Sequence, residues 1–331
     1  VDAALFNLLR GYAALTPPAR LKYPLHLSTQ EVHDFLITNV LCSDHLHTYS
    51  PSAEYQKSFW KWAISHLERN LDCEDNGHAF EIDERVYHKY TTLLSHLDND
   101  VSTQVARHVG PPTESYITHF WKPLDRFHPS VSDINSNGNK DIRQLLSTYQ
   151  SITLRESRTT IEAGTTGLRT WRASHVFAQY LIHHPKLVVR RHVFELGCGV
   201  GFLGIVVAAL QIVHGSDDAV GVDGARLWLS DGSAPVLARC KSNVELECNL
   251  SSKHPAIHYT ELDWTNVSAD YFSNANINPD IVLGADVIFE PSIVPPLART
   301  IRLAVHARHT DALIALTVRN EDTLNAFLSA L

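Results

Sequence analysis

Apolar residues recur at helical spacing over the first hundred positions, then gather into short runs that alternate with amphipathic stretches from about residue 146 onward. Within 53–68, Tyr55, Phe59, Trp62, Ala63 and Leu67 fall on one stripe, the signature of a helix packed on its neighbours. The same spacing predicts helices over 31–40 and 84–97. Residues 110–143 are rich in Pro, Ser, Asn, Gly and Asp, which reads as loop chemistry. Beyond it, short apolar runs predict a strand over 151–156, one leading into the glycines at Gly197–Gly201, and others over 227–231, 257–264, 281–287 and 312–318. Helices are predicted between them over 173–184, 202–213, 236–250 and 293–309, and a last one begins near Glu321. Strands alternating with helices imply a mostly parallel, doubly wound sheet. The expected organisation is a small, mainly helical N-terminal domain over 1–108, a linker over 109–145 and an α/β domain over 146–331.

Composition narrows the class. The 331 residues, 44% hydrophobic and 19% charged, suit a folded chain of one large or two ordinary domains. The net charge of −8 supplies no general attraction to nucleic acid, so no direct nucleic-acid partner is expected. Five cysteines without a C-x-x-C pair indicate neither a disulfide framework nor a zinc site and suit a reducing compartment. Neither a membrane-spanning run nor a signal peptide is read, and a cytoplasmic location is expected. The 20 histidines lack the spacing of a metal site, and no metal is expected. The complete lack of methionine suggests a processed, trimmed or edited sequence.

The chemistry concentrates at strand ends. In Glu195-Leu196-Gly197-Cys198-Gly199-Val200-Gly201 an apolar strand ends in an acid and three alternating glycines before an apolar helix. Glycine permits positive φ and lets a ligand approach the backbone. Gly199, Gly201 and Gly204 also fit the dinucleotide fingerprint, in which a helix N-terminus holds a pyrophosphate. Glu195 would repel that group but can face the sulfonium end of S-adenosyl-L-methionine. Asp231, ending the next strand, can accept from both ribose hydroxyls, with an Asx turn as the alternative and Asp223 as the rival acid. Asp263 can accept from an adenine amino group beside the ring of Trp264, or be an ordinary surface aspartate. Ala285 and Asp286 end the following strand, where a small residue lets a cofactor close over it and an acid can meet an incoming amine or cap a helix.

Taken together, Gly164-Thr165-Thr166-Gly167-Leu168-Arg169-Thr170-Trp171-Arg172-Ala173-Ser174, the glycine run, Ser230-Asp231-Gly232, Leu262-Asp263-Trp264 and Ala285-Asp286-Val287-Ile288-Phe289 resemble the seven-strand, family 16 protein-lysine methyltransferases. Within them the sequence is most similar to the elongation factor 2 lysine methyltransferases, whose extra N-terminal domain is echoed by Tyr49–Gln56 and Phe59-Trp60. The resemblance implies a Rossmann-like class I methyltransferase sheet, S-adenosyl-L-methionine as cofactor and elongation factor 2 as protein partner, with no membrane involved. It also implies a pocket lined by Trp171, with Gly197, Cys198, Gly199 and Gly201 at the methionine part, Asp231 at the ribose, Trp264 at the adenine and Ala285 at a strand end. Asp286 and Phe289 would take the family's D-x-x-Y positions beside the target amine, Phe289 replacing the tyrosine. That sheet continues into a final antiparallel hairpin, whereas this sequence ends at Leu331, so the hairpin is expected to be missing. The alternatives are a methyltransferase for another protein, a small molecule or RNA, and a non-catalytic binding module.

Overall fold

The computed structural model describes residues 2–71, 81–98, 114–123, 148–162, 164–215, 224–288, 290–305 and 310–331. They divide into two compact units, one up to Thr153 and one from Leu154 to the last residue.

In the first unit the elements are α1 (Ala3–Ala13), α2 (Thr29–Leu36), α3 (Asp44–Thr48), α4 (Ala53–Leu71), α5 (Glu84–Asp98), β1 (Glu114–Trp121) and the start of β2 (Gln150–Ser157). A reciprocal capping box starts α2: Ser28 Oγ accepts from the Glu31 N–H, and the Ser28 N–H donates back to Glu31 Oε2 at 2.9 Å. The predicted helix over 31–40 ends as a π-type turn over Ile37–Leu41. On α4 the predicted stripe is buried at Tyr55, Phe59, Ala63 and Leu67, while Trp62 is only partly covered and Trp60 is buried instead. Tyr12 of α1 meets Phe59 edge to face at 4.5 Å. The stretch read as loop contains β1, which forms a two-stranded sheet with β2. Its aromatic and β-branched residues favour a strand, but eight residues flanked by Pro, Ser and Asn do not stand out in the sequence. Within that stretch, 110–113 and 124–143 lie outside the described residues.

The second unit carries α6 (Arg172–His183), β3 (Val193–Leu196), α7 (Phe202–Gly215), β4 (Leu227–Asp231), α8 (Ala234–Val244), β5 (Ile257–Glu261), α9 (Tyr271–Asn274), β6 (Ile281–Ala285), α10 (Val294–Val305), β7 (Asp311–Ala315) and α11 (Glu321–Ala330). Its five strands are all parallel, in the order β5-β4-β3-β6-β7. All four residues of β3 are buried, with Val193 in register with Leu227 on one side and Ile281 on the other. A strand covered on both faces reads as a continuous apolar run, as this one does apart from Glu195. Phe194, Trp228, Val282, Leu297 and Phe327 share one apolar cluster, and α7 is buried along nearly its whole length. Strand order reverses between β3 and β6, so the crevice at their carboxyl ends is where a doubly wound sheet takes its ligand. Three strands are shorter than predicted: β5 stops at Glu261 before a 3-10 turn over Trp264–Asn266, β6 stops at Ala285 and β7 at Ala315. None of the described helices is long and apolar enough to cross a membrane.

Candidate functional site

A cavity of about 370 Å³ opens at the carboxyl ends of these strands. Its walls include Trp171, Gly197, Cys198, Gly199, Asp231, Asp263, Trp264, Ala285 and Asp286, so the structure brings together nine residues singled out from the sequence. The glycine loop forms the floor. Gly197 and Gly199 take φ of 62° and 53°, in the left-handed region that disfavours a side chain. A Cβ on Gly197 would stand 2.8 Å from Val287 Cγ1 and 3.5 Å from the Trp264 ring, and one on Gly199 would stand 3.2 Å from the Gly167 carbonyl oxygen.

Asp231 fastens this floor. Its Oδ2 accepts the Gly199 N–H at 3.1 Å and its Oδ1 the Ser233 N–H at 3.0 Å. Burial raises its pKa, against the pull of these amide hydrogen bonds. Asn243 of α8 braces the loop from behind: its Nδ2 donates to the Val200 carbonyl at 2.9 Å, and its Oδ1 accepts the Arg155 N–H at 2.8 Å. Trp171 starts α6 with its indole N–H donating to the Thr166 carbonyl at 3.0 Å, which fixes the ring against the Thr165–Gly167 turn. The Thr170 hydroxyl donates to the buried Glu156 carboxyl. Trp264 places its ring near Gly197, and its Nε1 is buried with no hydrogen-bond partner among the described residues.

Some expectations are corrected. Glu195 does not line the cavity: its side chain is buried, and burial together with the nearby Asp231 charge pushes its pKa up to about 8. Its carboxyl is therefore protonated at neutral pH and presents no charge to a ligand. Gly201 also stands away from the cavity wall; a Cβ there would lie 2.8 Å from Cys240 Sγ, so its place is set by packing on α8. Asp263 reaches the rim but acts chiefly as a cap, taking Thr265 N–H at 2.9 Å, the Thr265 hydroxyl at 2.7 Å and Asn266 Nδ2 at 2.8 Å. Those bonds, the Thr265 hydroxyl foremost, lower its pKa. Phe289 and Asp223 lie outside the described residues.

Asp286 stands at the rim as expected, but it is not open to an incoming group. Its backbone takes φ of 59°, its N–H donates to the Ala315 carbonyl at 2.8 Å, and its carboxylate is gripped by Arg319 through two bonds of 3.0 and 2.9 Å. The same guanidinium lies 5.4 Å from the Trp171 ring centroid. Sequence reasoning missed Arg319, although it follows a predicted strand end, the place where ligand-facing residues were sought. It also missed Asn243, which lies within a polar helix and carries no signal of its own.

A family model described as lysine methyltransferase matches residues 149–331. The human protein-lysine N-methyltransferase EEF2KMT is 30% identical over 227 residues, covering 63% of this chain and 64% of that protein. The protein of the same name from Bos taurus is 30% identical over 235 residues, covering 63% and 65%. The protein-lysine N-methyltransferase EFM3 of Chaetomium thermophilum is 34% identical over 184 residues, covering 54% of this chain and 51% of that protein. The matched segments thus span less than two thirds of these relatives' own length.

Proposed function

Since the chain belongs to the lysine methyltransferase family, we propose that it transfers a methyl group from S-adenosyl-L-methionine to the ε-amino group of a protein lysine, and that the acceptor protein is translation elongation factor 2. The observation that carries this reading is the glycine floor tied to Asp231 at one strand end and continuous, within one cavity, with Asp286 at another. The acceptor is supported by the resemblance of the sequence motifs to the elongation factor 2 subgroup. A cytoplasmic setting goes with this reading, since it keeps the buried thiols of Cys198 and Cys240 reduced.

The cavity's hydrogen-bonding groups suit such a cofactor. A carboxylate offers about four lone-pair sites, and the Gly199, Ser233 and Gly232 amides engage up to three of them on Asp231, so capacity remains for a ribose hydroxyl. The absence of side chains at Gly197 and Gly199 keeps the floor open. The orphaned Trp264 Nε1–H is a donor without a partner, the kind of group a bound heterocycle satisfies. When bound, S-adenosyl-L-methionine supplies an electrophilic methyl group on a sulfonium. The chain's part is to hold donor and acceptor in line and dry, which is catalysis by proximity. A free lysine has a pKa of ~10.4 and must reach the site neutral. Apolar walls such as Leu262, Val287 and Ile293 favour the neutral form by withholding water.

The test is incubation of the purified protein with labelled S-adenosyl-L-methionine and elongation factor 2, alone and in a cell extract, followed by mass spectrometry of the labelled band. Methylation of a lysine on elongation factor 2 is the expected result. A labelled lysine on some other protein would remove only the proposed acceptor. No label, and no heat of cofactor binding in calorimetry, would remove the enzyme reading altogether.

A further inference from the structure

We propose that Arg319 is a positioning residue for the methyl acceptor: by occupying both oxygens of Asp286, it prevents that carboxylate from holding the incoming lysine as an ammonium ion. The inference rests on the lysine methyltransferase reading above. Four donors fill the Asp286 carboxylate: Arg319 Nη1 on Oδ1 at 3.0 Å, Arg319 Nη2 on Oδ2 at 2.9 Å, the Thr317 N–H on Oδ1 at 3.1 Å and the Thr317 hydroxyl on Oδ2 at 3.3 Å. About four lone-pair sites are available on such a group, so no acceptor capacity is left over. The Asp286 side chain is 2% exposed, whereas that of Arg319 is 41% exposed and reaches the cavity from beyond β7. Its guanidinium carbon also lies 5.4 Å from the Trp171 ring centroid, a cation–π contact that helps hold the fork in place.

The chemical reason follows from the nucleophile. A methyl group can pass only to the neutral amine, yet an unpaired carboxylate within ~4–6 Å of an amine stabilises the charged form and raises its pKa. Paired with Arg319, Asp286 contributes no net charge at that end of the cavity. The other titratable groups on the cavity wall are Arg169 before α6, Cys198 after β3, and Asp231 and Asp263 at the ends of β4 and β5, on the far side of β3 from β6. Among the described residues of the cavity wall, Asp286 is thus the one carboxylate that follows β6, and Arg319 decides whether it acts as one.

The experiment is the pH dependence of kcat with elongation factor 2 as acceptor, for the wild type, Arg319→Gln, Arg319→Lys and the double variant Arg319→Gln/Asp286→Asn. In Arg319→Gln the acid limb should move up by about one pH unit, costing about tenfold in rate at a fixed pH on that limb, and the double variant should bring it back. Arg319→Lys, which keeps a cation without the fork, should move the limb less than Arg319→Gln does. Loss of rate by the same factor at every pH in Arg319→Gln, or a larger shift in Arg319→Lys, overturns the proposal. A wild type that methylates no lysine overturns the reading beneath it, whereas an active wild type with an unmoved limb in Arg319→Gln overturns this inference alone.

Discussion

Asp231 Oδ2 and the backbone N–H of Gly199 stand 3.1 Å apart, so the carboxylate that ends β4 is bonded directly to the glycine turn that follows β3. Replacing Asp231 by Ala removes the partner of the Gly199 and Ser233 amides together with the acceptor proposed for the ribose. Calorimetric titration with S-adenosyl-L-methionine should show a Kd raised more than about tenfold, equivalent to about 1.4 kcal/mol or more. Asp231→Asn, which keeps one acceptor oxygen, should lose less. An unchanged Kd in Asp231→Ala would transfer the ribose role to Asp223.

Gly197→Ala tests the cavity floor. The new Cβ would sit 2.8 Å from Val287 Cγ1 at a φ of 62°, a left-handed conformation that costs a residue with a Cβ about 1–2 kcal/mol. A lower Tm and a weakened affinity for S-adenosyl-L-methionine are expected together. Full affinity in this variant would mean that the floor is not where the cofactor lies.

Glu195 provides a pH test. Its pKa in the folded protein is about 8, raised chiefly by burial, whereas the unfolded chain ionises near its ordinary value of 4.5. The folded state therefore holds a proton that the unfolded state gives up, and this contribution to stability is complete below about pH 4.5 and drains away as pH rises towards 8. Glu195→Gln mimics the protonated form and should raise Tm relative to the wild type at pH 8, with the gap closing near pH 4.5. A gap of constant size across that range would show that the carboxyl is not the titrating group.

Asn243 should matter for stability more than its helical setting suggests. Asn243→Ala strands the Val200 carbonyl and the Arg155 N–H, and a buried group left without its bond costs about 1–3 kcal/mol. Urea unfolding should give a lower midpoint with an unchanged m-value. A midpoint equal to that of the wild type would show that water takes over both bonds.

The parts of the molecule legible in the sequence were those governed by local rules. Strand and helix order in the second half followed from apolar periodicity, the glycine floor from the need for positive φ, and Asp231 from its position at the end of an apolar strand. Residues whose roles depend on a distant partner were not legible. Arg319 gains its role from Asp286, 33 positions earlier, and Asn243 from Val200 and Arg155. Glu195 was misjudged because its place in the motif does not reveal its depth: at the centre of a sheet covered on both faces, an acid before the glycines is buried beneath the cavity. β1 was hidden by the composition of its neighbours, and β5 to β7 were overextended because the apolar pattern runs on past the last ladder bond.

The strand order separates the two halves of the cavity in the gene as well as in space. The floor and its fastenings come from 164–264, whereas Asp286, Thr317 and Arg319 all follow β6. A duplicated copy could therefore accumulate changes after β6 while inheriting the glycine floor and its Asp231 fastening intact.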